Sequence, residues 1–332
     1  MQRLLSVLLA SLAPAIAVAD TAASATYRLR LTALAAGGGP AAGASYSLQQ
    51  LSGQPLVIGQ TAASGGIVEG GFFAFLRAQE DLLGKRVTSL VRAGSTLLAA
   101  FDGAGIWYSA NGGSTWAAAT TQPANRHIRA LVAYPGLPNR LYAASYGNGV
   151  YISNDGGVNW AACANSGLGN GNGLALAIAA GGQLYLGTEG GIYGSSSNCS
   201  IWTAINTGLT VAAATPPVAL VVDTDYPTRI YAGLDGAGIF RSTDGGATWT
   251  AAATQPANLR IKALARQSSN QIYAGSYGGG VFVSSNGGVN WSACSAQPAS
   301  PFVLSLLMDG AGRLYAGTAD GVAVSLDACA TW

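Results

Sequence analysis

Charge is what this sequence has least of. Only 9% of its 332 residues are charged, 16 lysines and arginines against 14 aspartates and glutamates. A protein that grips nucleic acid through the phosphate backbone carries a basic stripe, and this chain has none. Histidine occurs once, as His127, and the four cysteines include no C-x-x-C pair, which argues against a metal site. No cofactor is expected either, since no phosphate-cradling loop stands out. Beyond Ala19 no apolar stretch reaches the roughly 20 residues that a membrane-spanning helix needs. The stretch from Met1 to Ala19 reads differently. Arg3 precedes an apolar run interrupted by Pro14, and Ala17-Val18-Ala19 forms a small-x-small cleavage site, the pattern of a secretory signal. Export to the periplasm or the medium is expected, with cleavage near Ala19.

What remains is rich in apolar residues (49%) and in glycine (47 residues). Short apolar runs punctuated by Gly, Asn and Asp read as an all-β chain rather than a disordered one. A repeat fixes the architecture. Six tryptophans, Trp116, Trp160, Trp202, Trp249, Trp291 and Trp332, recur at a nearly constant interval. That interval matches one four-stranded propeller blade, which takes roughly 40–45 residues. Each tryptophan closes the same phrase: SANGGSTW at 109–116, SNDGGVNW at 153–160, STDGGATW at 242–249 and SSNGGVNW at 284–291. Two copies are degenerate, SSSNCSIW at 195–202 and SLDACATW at 325–332. Upstream of the box lies a hairpin phrase, LYAASYGNGVYI at 141–152 and IYAGSYGGGVFV at 272–283. Blade five then reads as an inner strand at 261–265, the hairpin at 272–283, the box turn at 286–290 and an outer strand at 291–293. Boxes one to three match boxes four to six at a nearly constant offset, Trp116 with Trp249, Trp160 with Trp291 and Trp202 with Trp332. Three blades were therefore duplicated. The expectation is a six-bladed β-propeller over 69–332, preceded by a small β-rich segment at 20–68 with strands at 27–34, 45–51 and 56–58. Seven blades remain the alternative if residues before 86 supply another.

The box resembles the Asp-box, S-x-D-x-G-x-T-W, of bacterial-neuraminidase-repeat propellers of the sialidase superfamily. Its role is structural. Asn111, Asp155, Asp244, Asn286 and Asp327 would accept backbone N–H groups within the turn, the glycines supply positive φ, and the tryptophans bury aromatic surface against a neighbouring blade. The hairpin and box phrases are also similar to those of propellers that assist photosystem II assembly.

The four cysteines allow three pairings. Cys163 and Cys294 each follow a box tryptophan by three residues, and Cys199 and Cys329 each precede one by three. The same relation in both halves selects Cys163–Cys199 and Cys294–Cys329, with free buried thiols as the alternative. Blade six has no outer strand after Trp332, and counting back from Val87 places one at 72–76, Phe-Phe-Ala-Phe-Leu. This run is the candidate that closes the ring, with a truncated sequence as the alternative.

Repeat register puts Asp102, Tyr146, Glu189, Asp235, Tyr277 and Asp320 on the hairpin tips. Arg126, His127, Arg129, Arg260 and Lys262 lie where blade connections enter inner strands. Such a ring is suited to a protein or glycan partner. Read as exposed turns, its carboxylates should be removable without unfolding the chain. Asp102 and Asp235 occupy equivalent tips of the two halves and are expected to face each other across the axis. The sialidase resemblance would imply an arginine cluster, a Tyr–Glu pair, an acidic Asp and an Arg-Ile-Pro phrase. Arg229-Ile230 is followed by Tyr231, so the phrase is absent. Xyloglucan-hydrolysing propellers, the second comparison, set two propellers around a cleft. The expectation is therefore an exported, monomeric, non-enzymatic binding module, with a glycoside hydrolase as the rival.

Overall fold

The computed structural model describes residues 86–209 and 215–332, together with three strands nearer the N-terminus. Two units separate, Met1–Ser52 and Gly53–Trp332. In the first, β1 (Ala15–Thr21), β2 (Thr26–Ala33) and β3 (Ser45–Gln49) form an antiparallel sheet in chain order. The cleavage point expected after Ala19 falls inside β1, where Ala19 pairs with Leu29. The expected strands at 27–34 and 45–51 correspond to β2 and β3. The one expected at 56–58 and the closing strand at 72–76 lie outside the described residues.

The second unit is a six-bladed β-propeller, and the described residues of the chain contain no helix. Blade one comprises β4 (Val87–Ala93), β5 (Thr96–Phe101), β6 (Gly105–Ser109) and β7 (Ala117–Ala118). Blades two to five repeat this antiparallel order from inner strands Ile128–Tyr134, Gly173–Ile178, Pro217–Val222 and Ile261–Arg266. Among the described residues blade six has three strands, Val303–Met308, Leu314–Thr318 and Gly321–Ser325. Second strands such as Ile230–Leu234 are buried along their whole length because blades cover both faces, which is why they read as continuous apolar runs. Blade five's Tyr273 and Val281, for example, pack against Val303, Leu306, Leu314 and Ala316 of blade six. A side chain at Gly233 would place its Cβ 2.5 Å from Ile261 Cγ2, so glycine there lets the next inner strand approach.

The box phrases form the turns expected of them. In the first, Asn111 Oδ1 accepts the Thr115 N–H at 2.9 Å, Gly113 N–H donates to Ser109 Oγ at 2.8 Å, and Trp116 Nε1 donates to Gly113 O at 3.0 Å. Asp244 accepts both the backbone N–H and the hydroxyl of Thr248, and these bonds hold its carboxyl at about 2. Gly112 and Gly113 adopt φ of 70° and 91°. In the degenerate boxes that left-handed pair is Asn198–Cys199 and Ala328–Cys329 instead. Such backbone costs a non-glycine residue about 1–2 kcal/mol. Both strained cysteines are in disulfides, Cys163–Cys199 and Cys294–Cys329, the pairing that the duplication selects. Each ties one blade's outer edge to the next blade's box turn.

A second repeated device was not legible beforehand. After each outer strand an amide side chain folds back onto the third strand. Gln122 Oε1 accepts the Ile106 N–H at 2.8 Å while its Nε2 donates to Ile106 O at 2.7 Å. Gln255 does the same to Ile239, Gln297 to Val281 and Asn165 to Val150, and Asn206 accepts the Ile192 N–H. These five clasped residues are fully buried, whereas Val322, their counterpart in blade six, is 60% exposed.

Candidate functional site at the hairpin tips

All six inner strands carry an irregularity at one place, where the register shifts by a residue just after the strand begins. A bulge re-aims the extra side chain. The six residues so placed are Thr88, Arg129, Leu174, Val218, Lys262 and Leu304. The two cations lie three blades apart.

Each cation meets the tip of the preceding blade. Asp102 pairs with Arg129 Nη1 at 3.2 Å, Arg86 Nη2 at 2.5 Å and His127 Nδ1 at 2.7 Å. Its equivalent, Asp235, pairs with Lys262 and with Arg260 Nε at 3.3 Å. Backbone bridges Asp102–His127 and Asp235–Arg260 join tip to connection in both halves. The expectation that these two acids stand on exposed turns is corrected. Their side chains are only 19% and 20% exposed, covered by cations from the next blade and, for Asp102, by Arg86 of its own blade. Burial pushes the Asp102 carboxyl up, but His127, Arg129 and Arg86 outweigh it and hold it below its ordinary value.

The tyrosines stand on the other side of those cations. The Arg129 guanidinium lies 5.4 Å from the Tyr146 ring centre, and Arg260 lies 4.7 Å from that of Tyr277, both within cation–π range. From here the halves diverge. The Tyr146 hydroxyl donates to Glu189 Oε1 at 2.7 Å, and Asn172 Nδ2 donates to Oε2 at 2.7 Å. These bonds lower the Glu189 carboxyl, while the bond to Glu189 raises the Tyr146 phenol. Tyr277 instead packs on Phe302, ring centres 5.0 Å apart and tilted by 58°. Asp320 donates its backbone N–H to Thr318 Oγ1.

Five of the six tip residues thus enter defined clusters, Asp102, Tyr146 and Glu189 forming one continuous chain. Sequence reading missed Asn172 and Phe302. They occupy the position of His127 and Arg260, just before an inner strand, so register alone would have pointed to them. Among the described residues no group of three or more His, Cys, Asp or Glu side chains could hold a metal ion.

Comparisons with known proteins agree on the fold. Residues 177–306 match the family described as the DUF6242 β-propeller domain. No curated protein matches the sequence. Among solved structures, the extracellular domain of the BT4673 one-component system of B. thetaiotaomicron superposes with a TM-score of 0.60 at 15% identity, over 97% of this chain and 39% of that one. An ancestral GH74 enzyme gives 0.57 at 17% identity, over 70% of this chain and 35% of the enzyme. YCF48 from Cyanidioschyzon merolae gives 0.56 at 16%, over 72% and 82%. YCF48 bound to D1 peptide aligns with 0.55 at 14%, over 70% and 75%. The chain therefore spans well under half of the BT4673 extracellular domain and of the GH74 enzyme. At these identities the likeness extends to the β-propeller fold alone.

Proposed function

We propose that the protein is an exported, non-enzymatic binding module that presents its hairpin-tip face to a protein partner. One observation carries this reading. Asp102, Glu189 and Asp235 each have both carboxylate oxygens engaged by neighbouring side chains. Hydrolysis of a glycosidic bond needs one carboxyl kept protonated near neutrality. Asp102 and Glu189 are held the opposite way. What the face offers instead is a fixed pattern of donors and aromatic edges. Two disulfides support an oxidising compartment, in line with the secretory pattern between Met1 and Ala19. YCF48 holding D1 peptide gives a precedent for a propeller of this shape meeting a protein.

A second reading, glycoside hydrolase, is favoured by the 2.7 Å contact between the Tyr146 hydroxyl and Glu189, a nucleophile-and-base geometry. The raised Tyr146 phenol argues against it. The test is direct. The purified protein is assayed on aryl glycosides, sialosides and xyloglucan, and immobilised for capture of partners alongside a glycan array. The expected result is no turnover and a protein captured by wild type but not by the Tyr277→Ser, Phe302→Ser variant. Turnover that disappears in Glu189→Gln would overturn the reading.

A further inference from the structure

The hydrogen-bonding capacity left over on the tip face is of one kind. The carboxylate oxygens of Asp102, Glu189 and Asp235 are occupied. Donors are not. The Arg129 Nε and Nη1 atoms are buried and make no hydrogen bond, Nη1 lying near Asp102 Oδ2 but poorly aligned with it. Nη1 keeps its ion pair with Asp102, so Arg129 lends charge to the junction while the accessible donors there belong to its neighbour. Arg126, exposed at the same blade junction, contributes only its carbonyl, which accepts the Gly103 N–H. Three blades on, Arg260 uses only Nε toward Asp235, its side chain is 54% exposed, and Lys262 beside it makes one bond. Two cation clusters, exposed Arg126 beside the more buried Arg129 and exposed Arg260 beside the more buried Lys262, therefore lie at junctions three blades apart, with Arg126 and Arg260 supplying the accessible donors. A neutral ligand offering its own donors would find few acceptors at either.

We propose that these two clusters bind an acidic peptide segment in extended form, its carboxylates meeting arginine at both blade junctions. Guanidinium–carboxylate pairing supplies the fork geometry. A short acid reaches one cluster, whereas an extended chain reaches both and gains from the second contact being intramolecular. The exposed Phe302 and the partly exposed Tyr277 beside the second cluster offer apolar contact to flanking side chains. This inference rests on the tip-face reading above and narrows it to one chemistry.

The test uses a fluorescein-labelled oligo-glutamate peptide of about ten residues, about 35 Å when extended, and fluorescence anisotropy with the full chain. Arg126→Ala with Arg260→Ala should raise Kd about tenfold, two solvent-facing pairs being removed. Both side chains are exposed, and an unchanged melting temperature verifies the fold. Raising salt to about 0.3 M should weaken binding, as the Debye length shortens. Arg92→Ala, on the other face, should leave Kd unchanged. Failure of the peptide to bind, or an equal loss in Arg92→Ala, overturns the proposal. So does binding of polygalacturonate where the peptide does not bind, which would assign the donors to an acidic glycan. If a captured partner depends on Tyr277 and Phe302 but not on Arg126 and Arg260, the acidic-peptide assignment fails while the tip-face reading stands.

Discussion

Replacing Gln255 by alanine should destabilise the propeller by about 2 kcal/mol, although the side chain touches neither a ligand nor a charged group. The reasoning starts at Ile239, which is fully buried. Its carbonyl accepts both Gln255 Nε2 at 2.8 Å and the Ala252 N–H at 3.0 Å. Its N–H has Gln255 Oε1 at 2.8 Å. Removing the amide deletes two hydrogen bonds, each worth about 0.5–1.5 kcal/mol net, and strands a buried donor whose desolvation costs about 1–3 kcal/mol. A cavity lets water in and returns part of this, so the lower half of the combined range applies. Gly238 leaves the room the amide occupies, since a Cβ there would lie 2.4 Å from Gln255 Oε1. At about 2–4 °C per kcal/mol the melting temperature should fall by about 5 °C. Gln255→Glu should be worse at neutral pH, because a carboxylate would face the Ile239 carbonyl. Urea unfolding of the three proteins measures the effect. An alanine variant within about 0.3 kcal/mol of wild type would refute the argument, as water would then replace the amide at no cost.

Two further outcomes follow from the site and the staples. Each disulfide closes a loop of 36 or 35 residues, so Cys163→Ser with Cys199→Ser should cost about 3–4 kcal/mol, and a melting temperature insensitive to reductant would contradict this. Asp102→Asn should destabilise more than a surface change, by about 1–3 kcal/mol, because it leaves Arg86 and Arg129 facing a neutral amide. The Asp102 carboxyl is lowered in the folded state, so its contribution is present above the unfolded value of about 3.9 and fades as pH falls through the folded one. The variant should lose that part of the acid dependence, and superimposable pH–stability curves would sink the assignment.

How far the sequence reaches is clear from particular residues. The box turns were legible because the phrase is local. Ser109, Asn111, Gly113 and Trp116 bond to one another within eight residues, so the letters and the geometry travel together. The disulfides were legible because duplication repeats their offset from the tryptophan. The amide clasps are nearly as local, yet they stand four to six residues after the tryptophan and are Gln in three blades and Asn in two. Once known, the signal is easy to see in Gln122, Gln255 and Gln297, each six residues on. The bulge leaves no letter behind. It adds one residue to a strand whose ends are set only by pairing, so the aim of Arg129 and Lys262 came from structure alone.

The burial of Asp102 and Asp235 escaped the sequence for a reason of scale. Apart from Arg86, 16 residues upstream on the blade of Asp102 itself, their cations sit 25 to 27 residues downstream, where the first strand of the next blade begins. Only the stacking of blades brings them together. A chain this poor in charge places a large share of it at blade junctions, where each acid bridges two blades. The duplicated halves keep that bridge and change what lies beyond it. Where the first half has Arg86 before its inner strand, the second has Pro216, and where the first has Asn172 the second has Phe302. One half thereby continues into a polar chain ending at Glu189, and the other into an aromatic pair. The same backbone presents matched donors at both junctions and unmatched surroundings, so an extended ligand lying across them would meet a polar end and an apolar end. That asymmetry would fix its direction.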